Sequence, residues 1–261
     1  MIPYVQIPIP KIFGFQIEAF GILVALGFFL GDYLARKRAE KVGLSQQVIH
    51  TSFLFCIFFG IFGAHLVHFL AYEPETLLND PLSFFNFRVG LSSFGGLLVA
   101  GIAIFVYLKW KKIPFLPYAD TICFGLLPGW IIGRLGCFTA HDHPGQKSDF
   151  FLAVKYPGGA RHDLGLYEAM VLACISFALY QVAKKMDVRS IFSGFYFAFC
   201  LIAYGLTRFF LDFLRATDLA FSDARYYHLT PAQYFCIFAM GLGLYLMFFF
   251  GPKSQKHVQA E

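Results

Sequence analysis

The amino-acid sequence predicts an all-α polytopic membrane protein with seven transmembrane helices. The chain of 261 residues is 58% hydrophobic and only 14% charged, and its mean hydropathy is +0.62. Soluble domains carry about 25% charged and about 45–50% apolar residues, so a water-soluble core cannot absorb this composition. Apolar runs of about 20 residues, the length that crosses a bilayer, lie at 16–35, 50–72, 91–110, 118–137, 166–183, 191–213 and 232–250.

The basic residues predict the orientation of these spans. More than half of the 21 lysines and arginines lie on one side, in three loops and the C-terminal tail. They are Arg36, Lys37, Arg38, Lys41, Lys109, Lys111, Lys112, Lys184, Lys185, Arg189, Lys253 and Lys256. Because cytoplasmic loops are rich in Lys and Arg, we expect the C-terminus in the cytoplasm and the N-terminus outside. The net charge of +5 follows this topology, so no nucleic-acid partner is expected.

The chain is expected to form a single domain, residues 1–261. Residues 1–15 hold three prolines among apolar residues and are predicted to form an arm on the outer surface of the membrane. Residues 138–165 are the longest outer segment and contain the turn signal Tyr156-Pro157-Gly158-Gly159. This segment is too short for a domain and is predicted to form a small outer cap.

Ionisable residues within the spans indicate a functional site. A charged side chain at the bilayer centre costs roughly 2.5–3.5 kcal/mol on insertion scales, so such residues are rare without a role. Arg134 lies near the predicted outer end of span 4, and Arg208 lies in the outer half of span 6. Two deep arginines at one level favour binding of a phospholipid phosphate, which arginine contacts bidentately.

Other polar residues and glycines fall at the same predicted level. Tyr204, Asp212 and Arg215 share the helical face of Arg208 because they are spaced by whole turns. The remaining candidates, from spans 3 and 5, are Gly95, Gly96 and Glu168. Structural alternatives stay open here: Asp212 could form an ion pair with Arg208, Arg215 could extend to the headgroups, and the glycines could permit close helix packing.

The turn after span 4 reads His141-Asp142-His143 and offers acid–base chemistry. Histidine titrates near pH 6.5 and can accept a proton from a thiol. A metal site is not expected, because no third and fourth ligand stand at recognisable spacing. Cys137 precedes the turn and could act as a nucleophile activated by Arg134 and a histidine, or it could be a packing residue.

At these positions the sequence resembles the bacterial prolipoprotein diacylglyceryl transferase family along nearly the whole chain. The most specific match is Gly133-Arg134-Leu135-Gly136, the start of the family signature. Span 6 follows the last family motif, and other matches lie in spans 2, 3, 5 and 7. They comprise Gly63-Ala64-His65-Leu66, Ser93-Phe94-Gly95-Gly96, Arg161-His162, Leu166-Tyr167-Glu168, Tyr204-Gly205, Arg208, Asp212, Phe213, Arg215, Asp218, Leu229-Thr230 and Gln233.

The departures from the family pattern concern the chemistry. Phe94 stands where the family has a histidine, Cys137 replaces the signature asparagine, and Ala140-His141-Asp142 replaces Asn-Gly-Glu. A histidine lost from one loop and two gained in another are consistent with relocation of the catalytic base, or with a changed substrate.

The resemblance implies transfer of a diacylglyceryl group from phosphatidylglycerol to the lipobox cysteine thiol of a preprolipoprotein signal peptide. The site would face the periplasm at the outer leaflet of the bacterial inner membrane, among membrane lipids. Arg134 and Arg208 would bind the phosphate, with Asp212 orienting Arg208. His141 or His143, braced by Asp142, would be the base. The supporting residues would be Tyr204, Arg215, Glu168, Gly95 and Gly96, and no cofactor or metal would be required.

Two alternatives come from other functional classes. The first is a related lipid or acyl transferase that uses Cys137 as a covalent nucleophile. The second is a non-enzymatic phospholipid-binding membrane protein, which would retain lipid without turnover.

Overall fold

The computed structural model describes residues 1–5, 11–12, 15–16, 18–80, 90–186, 192–219 and 222–251. Within these residues, seven helical stretches are long and apolar enough to cross a membrane, which confirms the predicted seven-span fold. The α-helices are α1 (Ala19–Lys41), α2 (Gln46–Ala71), α3 (Pro74–Asn79), α4 (Ser93–Trp110), α5 (Phe115–Ala140), α6 (Leu164–Lys185), α7 (Phe195–Leu211) and α8 (Pro231–Tyr245). A 3₁₀ turn, Asp212–Leu214, extends α7, and a π-helical turn, Leu246–Phe250, extends α8.

Helices α1, α2, α5 and α6 extend beyond the predicted apolar segments because polar residues fit at helix ends, whereas α4 and α7 begin two and four residues later than predicted. Helix α1 continues through its basic residues to Lys41, and α2 begins where the Ser45 side chain accepts a hydrogen bond from the Val48 amide. Helix α8 begins with a reciprocal capping box between Thr230 and Gln233. Helix α3 is short and lies between α2 and α4, where residues 81–89 lie outside the described part.

Glycines bring two helix pairs into backbone contact. A Cβ atom on Gly27 of α1 would lie 2.4 Å from the Gly129 carbonyl oxygen of α5, and one on Gly125 would lie 2.0 Å from that of Gly31. Between α4 and α2, a Cβ on Gly95 would lie 2.5 Å from the Gly63 oxygen. Small residues of this kind let transmembrane helices approach closely, where dispersion contacts hold them together.

Large apolar side chains point outward from the bundle. Phe29, Phe58 and Phe248 are 75%, 71% and 65% exposed. An apolar surface of this kind is stable when lipid covers it, since a soluble monomer rarely exposes such patches. The outward surface therefore fits a bilayer.

A small sheet covers one end of the bundle. Its strands are β1 (Ile2–Pro3), β4 (Pro144–Lys147), β5 (Val154–Tyr156) and β6 (Gly159–Asp163), in the order β1-β5-β6-β4. Strands β5 and β6 form a hairpin at Tyr156–Gly159, where Gly159 has a φ of +114°, as the turn signal predicts. Strand β1 pairs with β5 in parallel.

Two further strands belong to the predicted N-terminal arm. They are β2 (Lys11–Ile12) and β3 (Phe15–Gln16), which pair in antiparallel. The rest of the predicted arm beyond Val5, like Arg88, Arg189, Lys253 and Lys256 among the predicted topology signals, lies outside the described residues.

Candidate active site

Three helices bring buried charges together below the cap. Arg134 of α5, Glu168 of α6 and Arg208 of α7 are 3%, 0% and 1% exposed. Glu168 lies between the two guanidinium groups: Oε2 is 2.9 Å from Arg134 Nε, and Oε1 is 3.0 Å from Arg208 Nη1. The sequence shows no acid within one turn of Arg134, and the structure supplies one from the neighbouring helix.

The charge pairs continue along α7 and into the loop that follows. Arg208 Nη2 lies 2.8 Å from Asp212 Oδ1, and the same oxygen accepts a hydrogen bond of 2.9 Å from Arg215 Nε. Arg215 also contacts Asp223. The three arginines and three acids balance in formal charge. A buried ion network is tolerated at membrane depth only when each charge has such a partner.

Uncharged residues complete the surroundings of the network. Ser93 accepts a hydrogen bond of 3.0 Å from Arg134 Nη2, and Tyr204 donates one of 3.2 Å to Glu168. Asp212 accepts a hydrogen bond from the Thr230 hydroxyl at the N-cap of α8. The Phe94 ring lies 5.4 Å from Arg208 Cζ, within cation–π range.

One donor of Arg208 is available to a ligand. Its Nε is buried and has no hydrogen-bond partner among the described residues. A buried donor without a partner is costly, so this atom favours an anion that reaches Arg208 from the neighbouring cavity.

A polar cavity of about 180 Å³ opens beside Arg208. Its walls come from α2, α4, α7, the turn after α5 and the loop after α7. They include His68, Ser93, Phe94, Asp142, His143, Arg208, Arg215 and Asp223. Two guanidinium groups and two histidines thus face one space, which can accept an anionic headgroup.

An apolar cavity of about 290 Å³ lies between α1, α2, α4 and α5. Its lining includes Phe20, Gly27, Gly96, Gly129, Arg134 and Cys137. Ser93 lines both cavities, so they meet near the Arg134 guanidinium. Gly96 faces the apolar cavity, whereas Gly95 lies in the α2–α4 contact described above.

The two histidines of the turn lie in different surroundings. His143 lines the polar cavity, and its Nδ1 is 3.0 Å from Asp142 Oδ1. His141 turns into the cap, where it stacks on Tyr4 at 4.2 Å and lies 3.6 Å from Asp163. The cause is local: His141 is the C-cap of α5 with φ +54° and ψ +34°, a left-handed residue that reverses the chain direction.

Apart from the buried network, an ion pair connects the cap to the loop after α7. Arg161 of β6 donates hydrogen bonds of 2.8 and 2.6 Å to the two carboxylate oxygens of Asp218. This hydrogen bonding lowers the pKa of Asp218 to about 2. In the cap itself, burial and the neighbouring Asp163 carboxylate raise the pKa of Tyr156, whose hydroxyl donates a 2.7 Å hydrogen bond to Asp163.

Sequence reasoning assigned no role to several residues that contact the site. Ser93 enters only within a family match, and its partner Arg134 is 41 positions away. Asp223 was missed, because its pairing with Arg215 depends on how the loop after α7 folds back. The Thr230-x-x-Gln233 capping box is a readable helix start, but its bond to Asp212 depends on tertiary packing. Cys137 Sγ lies 3.8 Å from Arg134 Nη1 at the edge of the site.

These features define a polytopic membrane protein with a charge-paired site at the capped end of its bundle, next to one polar and one apolar cavity. The sequence profile of the family described as prolipoprotein diacylglyceryl transferase matches residues 8–249. The chain therefore belongs to this family, and the predicted resemblance is confirmed.

Relatives support the assignment over nearly the full length. The chain is 31% identical to the phosphatidylglycerol–prolipoprotein diacylglyceryl transferase of Oleidesulfovibrio alaskensis over 248 residues, covering 92% of this chain and 91% of that protein. It is 27% identical to the Bacteroides fragilis protein of the same name over 260 residues, covering 94% and 93%. It is also 30% identical to transferase 1 of Clostridium perfringens over 223 residues, covering 81% and 83%.

Proposed function

We propose that the protein transfers a diacylglyceryl group from phosphatidylglycerol to the lipobox cysteine of preprolipoproteins. Family membership and the names of the relatives support this reading. The observation that carries it is the meeting of Arg208, Arg215 and His143 at one polar cavity beside an apolar cavity. A phospholipid needs such a pair of spaces, one for its phosphate and one for its acyl chains.

The proposed phosphate ligands are Arg208 and Arg134. Arg208 lines the polar cavity and has a buried Nε without a hydrogen-bond partner among the described residues, and Arg134 lies where the two cavities meet. Asp212 orients Arg208, Glu168 holds both guanidinium groups, and Tyr204 donates to Glu168. Positive groups fixed in advance stabilise the charge that develops on the leaving phosphate oxygen.

The proposed base is His143, braced by Asp142. The lipobox thiol gives its proton to a ring nitrogen of His143, and the sulfur attacks the glyceryl carbon bonded to the phosphate oxygen. A carbon–sulfur bond forms, the carbon–oxygen bond breaks, and glycerol phosphate leaves with the electron pair. His143 takes the place of the family histidine at Phe94, which faces the same cavity, whereas His141 is held in the cap.

The proposed location is the bacterial inner membrane, with the capped end facing the periplasm. The basic residues of the loops after α1, α4 and α6 lie at the opposite end of the helices, which supports this orientation by the positive-inside rule. The signal peptide of the preprolipoprotein is then the membrane-tethered partner, and it reaches the polar cavity from the outer leaflet.

The decisive experiment incubates the purified full chain with phosphatidylglycerol vesicles and a lipobox peptide, followed by mass analysis of the peptide. We expect the mass of a diacylglyceryl thioether. The Oleidesulfovibrio alaskensis relative serves as the positive control. A peptide that stays unmodified by the folded chain while the relative modifies it would exclude this activity.

The base is tested by His143→Ala against its neighbour His141→Ala. Loss of a general base typically costs about 10²–10⁴-fold in rate, so we expect such a loss in kcat for His143→Ala with stability unchanged. His141→Ala is expected to loosen the cap, because its ring stacks on Tyr4. Equal activity of His143→Ala and the unmodified protein would remove His143 from the mechanism.

A further inference from the structure

We propose that Cys137, Asp142 and His143 form a Zn²⁺ site between the two cavities, with Asp142 and His143 on the polar side and Cys137 on the apolar side, and that the bound ion inhibits the transferase. Cys137 Sγ, a carboxylate oxygen of Asp142 and a ring nitrogen of His143 all lie within 4.8 Å of one another. Thiolate, imidazole and carboxylate are the ligand types that Zn²⁺ prefers. The inhibitory part of this proposal rests on the proposed function; the binding part does not.

The backbone explains why the sequence spacing conceals this trio. Cys137 belongs to the last turn of α5, whereas Asp142 and His143 follow the helix. The left-handed conformation of His141 turns the chain back, so the two residues after it approach the helix end. Sequence spacing alone supplies no third ligand for the histidine turn, and the C-cap provides one.

The distances suit a tetrahedral ion after small side-chain rotations. Zinc–sulfur and zinc–nitrogen bonds of about 2.3 and 2.0–2.1 Å imply ligand separations of roughly 3.3–3.7 Å in a tetrahedron. The side chains of His143 and Asp142 are 24% and 41% exposed, so both have room to rotate inward. Their open side faces the polar cavity and leaves a fourth coordination position for water or a thiol.

Neighbouring charges are compatible with a thiolate ligand. The Arg134 guanidinium lies 3.8 Å from Cys137 Sγ and is itself neutralised by Glu168. The trio contributes one thiolate and one carboxylate, so a divalent ion is balanced at the site.

A bound ion would block the reaction because it would hold His143, the proposed base, and Asp142, the carboxylate that braces it, as ligands. We therefore expect reversible inhibition by Zn²⁺ that a chelator relieves.

The binding test titrates the full chain in lipid nanodiscs with Co²⁺, whose thiolate charge-transfer absorption reports a cysteine ligand. We expect one Co²⁺ per chain, displaced by Zn²⁺. Cys137→Ser and Cys137→Ala should abolish the charge-transfer band, and His143→Ala or Asp142→Asn should weaken binding by at least about tenfold. The matched controls are Cys174→Ser, an exposed cysteine of α6, and His228→Ala, an exposed histidine; both should bind like the unmodified chain.

Absence of the charge-transfer band in the unmodified chain, or a band that survives Cys137→Ser, overturns the proposed metal site.

The activity test then measures diacylglyceryl transfer with and without Zn²⁺. Each protein is compared with its own rate in metal-free buffer: we expect Zn²⁺ to remove most of the activity of the unmodified chain and a clearly smaller fraction of the activity of Cys137→Ser. Equal fractional inhibition of the unmodified chain and of Cys137→Ser overturns the inhibitory role. An unmodified chain that shows no transfer in metal-free buffer counts against the proposed transferase activity. In that case the Co²⁺ titration still decides whether the chain has the metal site.

Discussion

The bundle has two sides that meet at α5, and their helices are held together differently. On one side, α1 contacts α5 through Gly27, Gly31, Gly125 and Gly129, with backbone atoms almost touching. On the other side, α6 and α7 pack against α5 around an apolar cluster that includes Leu127, Leu172 and Tyr204. The ion pairs of Glu168 with Arg134 and Arg208 add a charged contact that the first side lacks. The first side encloses the apolar cavity and the second borders the polar cavity.

The difference teaches how one bundle can serve a substrate that has two chemical halves. Glycine contacts satisfy no polar group and leave a space whose lining is largely apolar, with Arg134 at its edge, which suits acyl chains. Ion pairs within the bundle hold guanidinium groups in fixed positions beside a polar space, which suits a phosphate. Helix α5 supplies both, because Gly129 and Arg134 lie on the same helix little more than one turn apart.

The largest expected effect comes from removing the acid between the two arginines. Glu168→Ala leaves Arg134 without its only carboxylate among the described residues and deprives Arg208 of one of two. Breaking a buried pair in this way costs about 3–5 kcal/mol. We expect a matching fall in the unfolding midpoint in detergent, together with loss of transfer activity.

A paired replacement separates folding from phosphate binding. In the double variant Arg134→Met with Glu168→Leu, neither charge is left unpaired at that contact, so most of the lost stability should return. Activity should stay low because the proposed phosphate ligand is gone. If Glu168→Ala alone keeps the normal midpoint, the ion network is not what holds this side together.

A smaller effect is expected on the glycine side. Gly129→Val places a branched side chain at a position where even an added Cβ atom would lie 2.4 Å from the Gly27 carbonyl oxygen. Overpacking of this kind costs about 1–3 kcal/mol, and we expect the unfolding midpoint to fall accordingly. Gly101→Val in α4 is the matched control, since a Cβ atom at Gly101 would meet no described atom within 4 Å. Equal midpoints for the two variants would contradict close α1–α5 packing as a source of stability.

The sequence was sufficient to predict the fold and to single out the buried arginines of α5 and α7 that the structure brings together. Apolar runs of bilayer length are strong signals, and Arg134 and Arg208 stand out because charge at membrane depth is rare. Glu168 was predicted only as a supporting residue. Its position between both arginines depends on how α6 packs against α5 and α7, which no local pattern records.

The cap was harder to predict, for two physical reasons. Its strands have two to five residues, too few for a period-two pattern, and β1 pairs with a strand about 150 positions away. His141 and His143 were indistinguishable in sequence because their separation depends on a left-handed φ at a residue other than glycine. A left-handed residue at a helix C-terminus is usually glycine, so the histidine at position 141 gave no sequence signal that the chain reverses direction.

The smallest expected effect tests whether the cap depends on the bundle. Asp218→Asn removes the carboxylate that accepts both hydrogen bonds from Arg161, so we expect faster hydrogen exchange in β4 and β6 with little change in the unfolding midpoint. The pKa of Asp218 is lowered to about 2, so the contribution of this pair is complete above the ordinary carboxyl pKa and is lost only as the pH falls through about 2. The variant should therefore show the same increase in exchange, corrected for intrinsic rates, at pH 5 and pH 8.

The control is Asp149→Asn, which makes the same change of charge at an exposed cap residue. An equal increase in exchange for Asp149→Asn would mean that net charge rather than the Arg161 contact holds the cap in place.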